Sequence, residues 1–275
     1  NYFNHQELKN AEINIYKEDR RTPLIIATIN SDSPYDSESI LMYGHLDKQP
    51  PMRGKWSEGL DPYVPVIKNN KLYGRGSTDD GYAFFSTVSL IKYIQDTDSQ
   101  KYNFVLVFET DEESGSNDII YYLEKYFDIV KNVSTVICLD STTIDYERFY
   151  KTNSLRGFLE ANVKVSVTSK GVHSGDASGV IPDSFRIFRS VLERIENQNN
   201  QEIKLKEFYD AIPPQDYENA EDLILEIGDK LNTDMPLLEG VDPITKDKFT
   251  QYLNQTWRPQ LTIVGLDGTP ICSEA

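Results

Sequence analysis

Six side chains able to hold a cation or move a proton fall at the ends of apolar runs: His45, Asp47, Asp79, Glu112, Glu113 and Asp140. Ile40-Leu41-Met42-Tyr43 is a run of strand length broken by Gly44, so His45 emerges where a buried strand leaves the core. Residues two apart on an extended backbone point the same way, which lets the Asp47 carboxylate stand behind the His45 imidazole and hold its ring. Asp79 follows the turn Gly74-Arg75-Gly76-Ser77-Thr78 and precedes a helical pattern, which puts a carboxylate at a helix entrance. Glu112 and Glu113 come just after the apolar run Phe104-Val105-Leu106-Val107-Phe108, and Asp140 closes Thr135-Val136-Ile137-Cys138-Leu139.

Singly, each residue has a structural alternative: a turn histidine, a helix N-cap, a solvated acidic turn, a strand-end cap. Together they bring an imidazole and several carboxylates to one sheet edge, where they repel one another unless cations sit among them. Nitrogen and oxygen donors without thiolate suit zinc, manganese or cobalt better than calcium. Adjacent glutamates diverge at a strand end, so one of Glu112 and Glu113 can bind metal while the other stays free. A free carboxylate beside a metal-bound water is placed to take its proton, since a cation lowers that water's pKa to roughly 7.

The elements that must position these groups follow from periodicity. Strands are expected at 24–29, 40–43, 104–108 and 135–139, with a core-facing helix at 82–95 (Phe84, Val88, Ile91, Ile94) and another at about 117–127. The proline-rich stretch 48–70 reads as an irregular surface excursion. Strands alternating with helices predict an α/β fold, a mixed and mostly parallel sheet with helices on both faces and its ligands at the strand carboxyl ends. Near Arg156 the pattern changes: Ala161, Val163, Val165 and Val167 alternate with polar residues, so a smaller α+β domain is expected over 156–275, after a first domain at 1–155. It carries the turn Gly171-Val172-His173-Ser174-Gly175, a helix after Pro182 presenting Phe185, Phe188, Leu192 and Ile195, helical segments at 218–231 and 244–253, and a strand at 260–264.

With 44 acidic against 28 basic residues and a formal charge of -16, the surface field repels phosphate, which argues against nucleic acid as a partner. No apolar run reaches the roughly 18 residues of a membrane span, so no membrane partner is expected and the protein reads as soluble. The two cysteines, Cys138 and Cys272, are too few for a disulfide framework or thiolate zinc site, and Cys138 reads as a buried thiol.

Gly44-His45-Leu46-Asp47, Leu72 to Asp80, Glu112-Glu113-Ser114-Gly115-Ser116, Asp140 and His173-Ser174-Gly175 resemble the carnosinase and cytosolic non-specific dipeptidase branch of the dinuclear zinc metallopeptidases. That family also holds carboxypeptidase G, aminoacylase and succinyl-diaminopimelate desuccinylase. The likeness runs through essentially the whole chain with the motifs in the family's order. It implies a zinc-exopeptidase-like domain plus a lid that also forms a homodimer. It implies two divalent ions, with zinc ahead of manganese or cobalt: Asp79 bridging both, His45 and Asp140 completing one site, Glu113 belonging to the other. Asp47 would orient His45, Glu112 would be the general base, and His173 would stabilise the oxyanion of the tetrahedral intermediate.

The implied activity is hydrolysis of dipeptide or C-terminal amide bonds, with deacylation of N-acyl-amino acids and a non-catalytic metal-binding module as alternatives, and the implied location is cytoplasmic. Two departures stand out. Gly81-Tyr82 replaces the Lys-Gly that commonly follows the aspartate pair, and the histidines are only His5, His45 and His173, without the family's last ligand. The expectation is therefore an N-terminal portion that ends inside the lid and is inactive as it stands.

Overall fold

The computed structural model describes residues 1–32, 38–141, 143–233 and 235–268. It divides into two compact units, Asn1–Thr142 and Thr143–Ala275. This division lies ahead of the Arg156 boundary that the change in strand pattern suggests.

In chain order the first unit contains α1 (Tyr2–His5), β1 (Ala11–Tyr16), β2 (Leu24–Ile29), β3 (Ser39–His45), β4 (Val66–Lys68), β5 (Lys71–Tyr73), α2 (Tyr82–Asp96), β6 (Asn103–Glu109), α3 (Ile119–Lys125), α4 (Phe127–Val130) and β7 (Val133–Cys138). Five strands form one mixed sheet in the order β1-β2-β6-β3-β7, and β4 and β5 form a separate hairpin. β3 runs parallel to both β6 and β7, while β1–β2 and β2–β6 are antiparallel. The parallel strands need crossovers, and α2 and the α3–α4 pair supply them.

Alternation along β3 and β6 divides the core between the two sheet faces. Met42, Leu106 and Phe108 meet Ala83, Val88 and Ile91 of α2 on one face, whereas Leu41, Val105 and Val107 meet Tyr122 of α3 on the other. Each fully buried Val or Ile here contributes about 1.5–3 kcal/mol. The Tyr122 hydroxyl accepts from Glu18 N and donates to the Thr22 carbonyl, so this large buried ring leaves no polar atom unpaired.

Three expectations need correction in this unit. Ala11–Tyr16 is a strand beyond the four expected from periodicity. The 48–70 excursion ends in the β4–β5 hairpin. Cys138 is exposed, because β7 is an edge strand with Val136 and Ile137 also open, not a strand covered on both faces. Cys272 lies outside the described residues.

The second unit contains α5 (Ser174–Ala177), α6 (Ser184–Ile195), α7 (Pro214–Ile227) and α8 (Lys248–Thr256). α7 packs on α8, with Tyr217 edge-on to Phe249 at 5.0 Å and Ala220, Ile227 and Leu253 buried. Asp183 caps α6 by accepting Arg186 N, and Asp247 caps α8 by accepting Thr250 N, each at 2.8 Å. The expected strands at 161–167 and 260–264 are not formed. Val163 stays half exposed and Phe158 almost fully so. An alternating segment becomes a strand only when another backbone takes its N–H and C=O groups, and among the described residues of this unit only the isolated Glu196–Ile203 bridge does this.

Candidate metal centre

The site forms where β3, β6 and β7 end together. Their hydrogen-bond ladder runs past the strand ends: Leu46 N donates to the Glu109 carbonyl at 2.8 Å and Leu139 N to the Tyr43 carbonyl at 3.1 Å, so three loops leave the sheet side by side. His45, at the end of β3, is fully buried. Gly44 before it has no room for a side chain, because a Cβ there would stand 2.7 Å from both Ala83 Cβ and Asp80 Oδ2. That close approach brings the α2 entrance against the strand.

Asp80 and Asp79 then take different jobs. Asp80 is buried; its Oδ2 accepts His45 N at 3.2 Å and its Oδ1 accepts Gly81 N and Ala83 N, which makes it the carboxylate that closes the first turn of α2. Asp79, relieved of capping, lies with Oδ1 3.3 Å from His45 Nε2. Glu112 Oε2 lies 3.9 Å and Asp140 Oδ2 4.0 Å from the same nitrogen.

On the other side of the ring, Asp47 Oδ1 lies 3.4 Å from His45 Nδ1, and the Asp47 carbonyl 3.2 Å from it. The Asp47 carboxylate also accepts Glu112 N at 3.2 Å and Glu113 N at 3.0 Å, so one side chain backs the imidazole and holds the turn that carries both glutamates. Glu113 is engaged by Gln49, whose backbone N donates to it at 3.1 Å and whose side-chain amide donates to its second oxygen. Behind the turn, Glu109 accepts the Tyr43 hydroxyl at 2.5 Å and Ser116 Oγ at 2.9 Å. Burial and the Glu109 carboxylate raise the Tyr43 pKa, so its hydroxyl stays protonated as a donor.

Two ligand groups share His45: His45, Asp79 and Asp140, and His45, Glu112 and Glu113, the donor atoms of each lying within 4.8 Å of one another. His45 Nε2 is buried with no hydrogen-bond partner, and it faces carboxylate oxygens. An orphaned ring nitrogen turned toward a nest of acids fits a divalent cation bound by nitrogen and oxygen. Burial works against a charged His45, yet Asp140, Glu112, Asp47 and Asp80 outweigh it and raise its pKa. Burial raises the carboxyl pKa of Glu112, helped by Asp140, Glu113 and Asp47 against the pull of His45. Asp140 is raised in the same way, by burial and by Asp80, Asp79 and Glu113.

His173 sits in the second unit, exposed, at the N-cap of α5, where its Nδ1 accepts Gly175 N at 3.1 Å. The tautomer then carries its proton on Nε2. Asp80, Lys48 and Gln49 were not among the sequence-derived site residues. Asp80 had a legible signal, a carboxylate three residues ahead of a helical N–H, whereas Lys48 and Gln49 act through contacts with distant segments.

The chain is similar to human Beta-Ala-His dipeptidase, 27% identical over 255 residues, covering 90% of this chain and 48% of that protein. It is similar to the Schizosaccharomyces pombe Cys-Gly metallodipeptidase dug1 at 25% identity over 254 residues, covering 90% of this chain and 51% of that one. The chain thus spans about half the length of these curated relatives. In fold it is similar to the crystal structure of human carnosine dipeptidase 1, with a TM-score of 0.68 at 19% identity over 98% of this chain and 57% of that one. The Sulfolobus solfataricus metallo-carboxypeptidase Sso-CP2 gives a TM-score of 0.65 at 18% identity over 95% of this chain and 59% of its own. The profile of Peptidase family M20/M25/M40 matches residues 41–235, a span that includes His45, Asp79, Glu112, Glu113 and Asp140, and the chain belongs to that family.

Proposed function

We propose that the protein of which this chain is part hydrolyses amide bonds of small peptides, dipeptides above all, at two divalent metal ions, zinc ahead of manganese or cobalt. The observation that carries the reading is the buried, unpartnered His45 Nε2 facing Asp79, Glu112 and Asp140. His45, Asp79 and Asp140 would hold one ion, and Asp79 and Glu113 would contribute to the other. Gln49 holds the Glu113 carboxylate in place through its backbone N and its side-chain amide. When bound, the metal supplies the electrophile that acidifies water and polarises the amide carbonyl.

The chain's own groups do the rest. Asp47 keeps the His45 ring turned so that Nε2 points into the carboxylates, and through Glu112 N and Glu113 N it fixes the base relative to that ring. Glu112 takes a proton from the attacking water and gives it to the leaving amine, since its carboxylate lies beside the His45 ring without a ligand role. His173 would steady the developing oxyanion through Nε2–H, with the second unit acting as lid and dimer surface.

Glu112→Gln tests the assignment in the full-length protein. Zinc content should stay near wild type while dipeptide turnover falls by about 10²-fold to 10⁴-fold. Glu113→Gln should instead lower zinc content, because a neutral amide is the poorer ligand. The opposite pattern would mean that the two glutamates are assigned the wrong way round, and normal hydrolysis by both variants would end the metallopeptidase reading.

A further inference from the structure

Lys48 follows the His45-Leu46-Asp47 segment directly, yet its ammonium does not pair with the surrounding acids. Nζ donates to the carbonyls of Leu46 and Asp47, each at 3.0 Å, and to the carbonyl of Asp80. An ammonium has three hydrogens, so these three main-chain acceptors use all of them. Among the described residues Lys48 forms no ion pair.

The acceptors lie on two segments: the exit of β3, which carries His45 and Asp47, and the entrance of α2, which carries Asp79 and Asp80. The room for this reach comes from glycines. A Cβ on Gly76, whose φ is +78°, would stand 2.3 Å from Lys48 Cε and 2.5 Å from Cδ. A Cβ on Gly81 would stand 2.9 Å from the Gly76 carbonyl and 3.5 Å from Lys48 Nζ. Gly81 is also the position where the chain departs from the commoner lysine after the aspartate pair.

We infer that Lys48 is a positioning residue: its ammonium ties the Asp79–Asp80 turn to the end of β3 through the Asp80 carbonyl, in a slot that Gly76 leaves open, and so sets Asp79 at its distance from His45. The inference rests on the metal-site reading given above. A lysine acting as a plain charge would disfavour a cation nearby, and removing it would tighten metal binding. A lysine acting as a tether does the reverse. Groups that orient metal ligands are typically worth tenfold to a hundredfold in metal affinity.

The experiment is zinc titration of the chelator-stripped, full-length protein against a chromophoric competitor, together with the zinc-induced rise in melting temperature. Lys48→Met keeps the stem and removes the three donors, and Lys55→Met, at an exposed site, is the control. The expected result is wild-type affinity in the control, zinc binding weaker by about tenfold or more in Lys48→Met, and a smaller zinc-induced rise in melting. A purely structural lysine would lower the melting temperatures with and without zinc equally and leave the increment unmoved, which overturns the inference, as does unchanged or tighter binding. Gly76→Ala keeps the lysine but places a Cβ 2.3 Å from its Cε, so it should also weaken zinc, and unaltered affinity there would again overturn the proposal. A wild-type protein that binds no zinc would sink the metal-site reading itself, an outcome distinct from a wild type and Lys48→Met that bind alike.

Discussion

Removing the charge of Asp140 should make the metal-free protein more stable and the metal-bound protein worse off. Asp79, Asp140 and His45 hold their donor atoms within 4.8 Å of one another. Two unit charges at that separation repel by about 3.5 kcal/mol at an effective dielectric of about 20. The Asp79 side chain is 58% exposed, so water screens much of this, leaving about 1 kcal/mol.

The sign follows from the raised Asp140 carboxyl. A carboxyl whose folded pKa lies above its unfolded value costs nothing below the unfolded value and its full amount once the pH has passed the folded one. Protonated His45, itself held up by these acids, offsets part of the cost until it loses its proton. The advantage of Asp140→Asn should therefore grow from pH 6 to pH 9 and reach about 1 kcal/mol in urea denaturation of chelator-treated protein. Adding zinc should reverse the ranking, because the variant has given up a charged ligand. A less stable metal-free variant at pH 9, or equal stabilisation of both proteins by zinc, would refute the electrostatic account.

Gly44→Ala forces a Cβ to within 2.7 Å of Ala83 Cβ and Asp80 Oδ2, and should cost about 1–3 kcal/mol by overpacking; an unchanged urea midpoint would show that α2 can back away freely. Asp118 accepts Thr22 N, Arg21 Nη1 and Thr22 Oγ1, which holds its carboxyl below the usual range. Its stabilisation is therefore present above the ordinary value of about 4 and lost as the pH falls through the lowered one. Asp118→Asn should be less stable at pH 7 and show a shallower fall in stability below pH 4, readable as a changed slope in acid unfolding followed by circular dichroism.

Strands buried on both faces and helices with a strong apolar stripe were legible in the sequence. The expected strand at 24–29 is β2 as Leu24–Ile29, and the expected helix at 82–95 is α2 as Tyr82–Asp96. β1 did carry a signal, Ala11, Ile13 and Ile15 alternating with Glu12 and Asn14, but the alternation is short and belongs to a half-exposed edge strand. The β4–β5 hairpin did leave a signal, Asn69-Asn70 with φ of 52° and 58°, the paired left-handed residues of a tight hairpin turn, but the surrounding prolines masked it. The alternating stretch at 161–167 shows the reverse failure, since periodicity reports a preference for strand and says nothing of whether a partner backbone is at hand. At the site, residue types at strand ends pointed to His45, Asp79, Glu112 and Asp140. The division of labour between Asp79 and Asp80 depends on how closely α2 approaches the side-chain-free Gly44, and the grip of Lys48 on a carbonyl 32 residues away depends on tertiary contact.

The common exit of β3, β6 and β7 also bears on how the protein folds. His45, Glu113 and Asp140 stand at or just past the ends of different strands, and side chains on a strand alternate between faces, so a slip of one residue in β3 would turn His45 away from the carboxylates. A pair of cations that needed all three residues at once would therefore be held only by the native register. Metal loading would then act as a check on strand alignment made late in folding, once segments nearly a hundred residues apart have met, and misaligned chains would be left without the energy of binding and open to proteolysis.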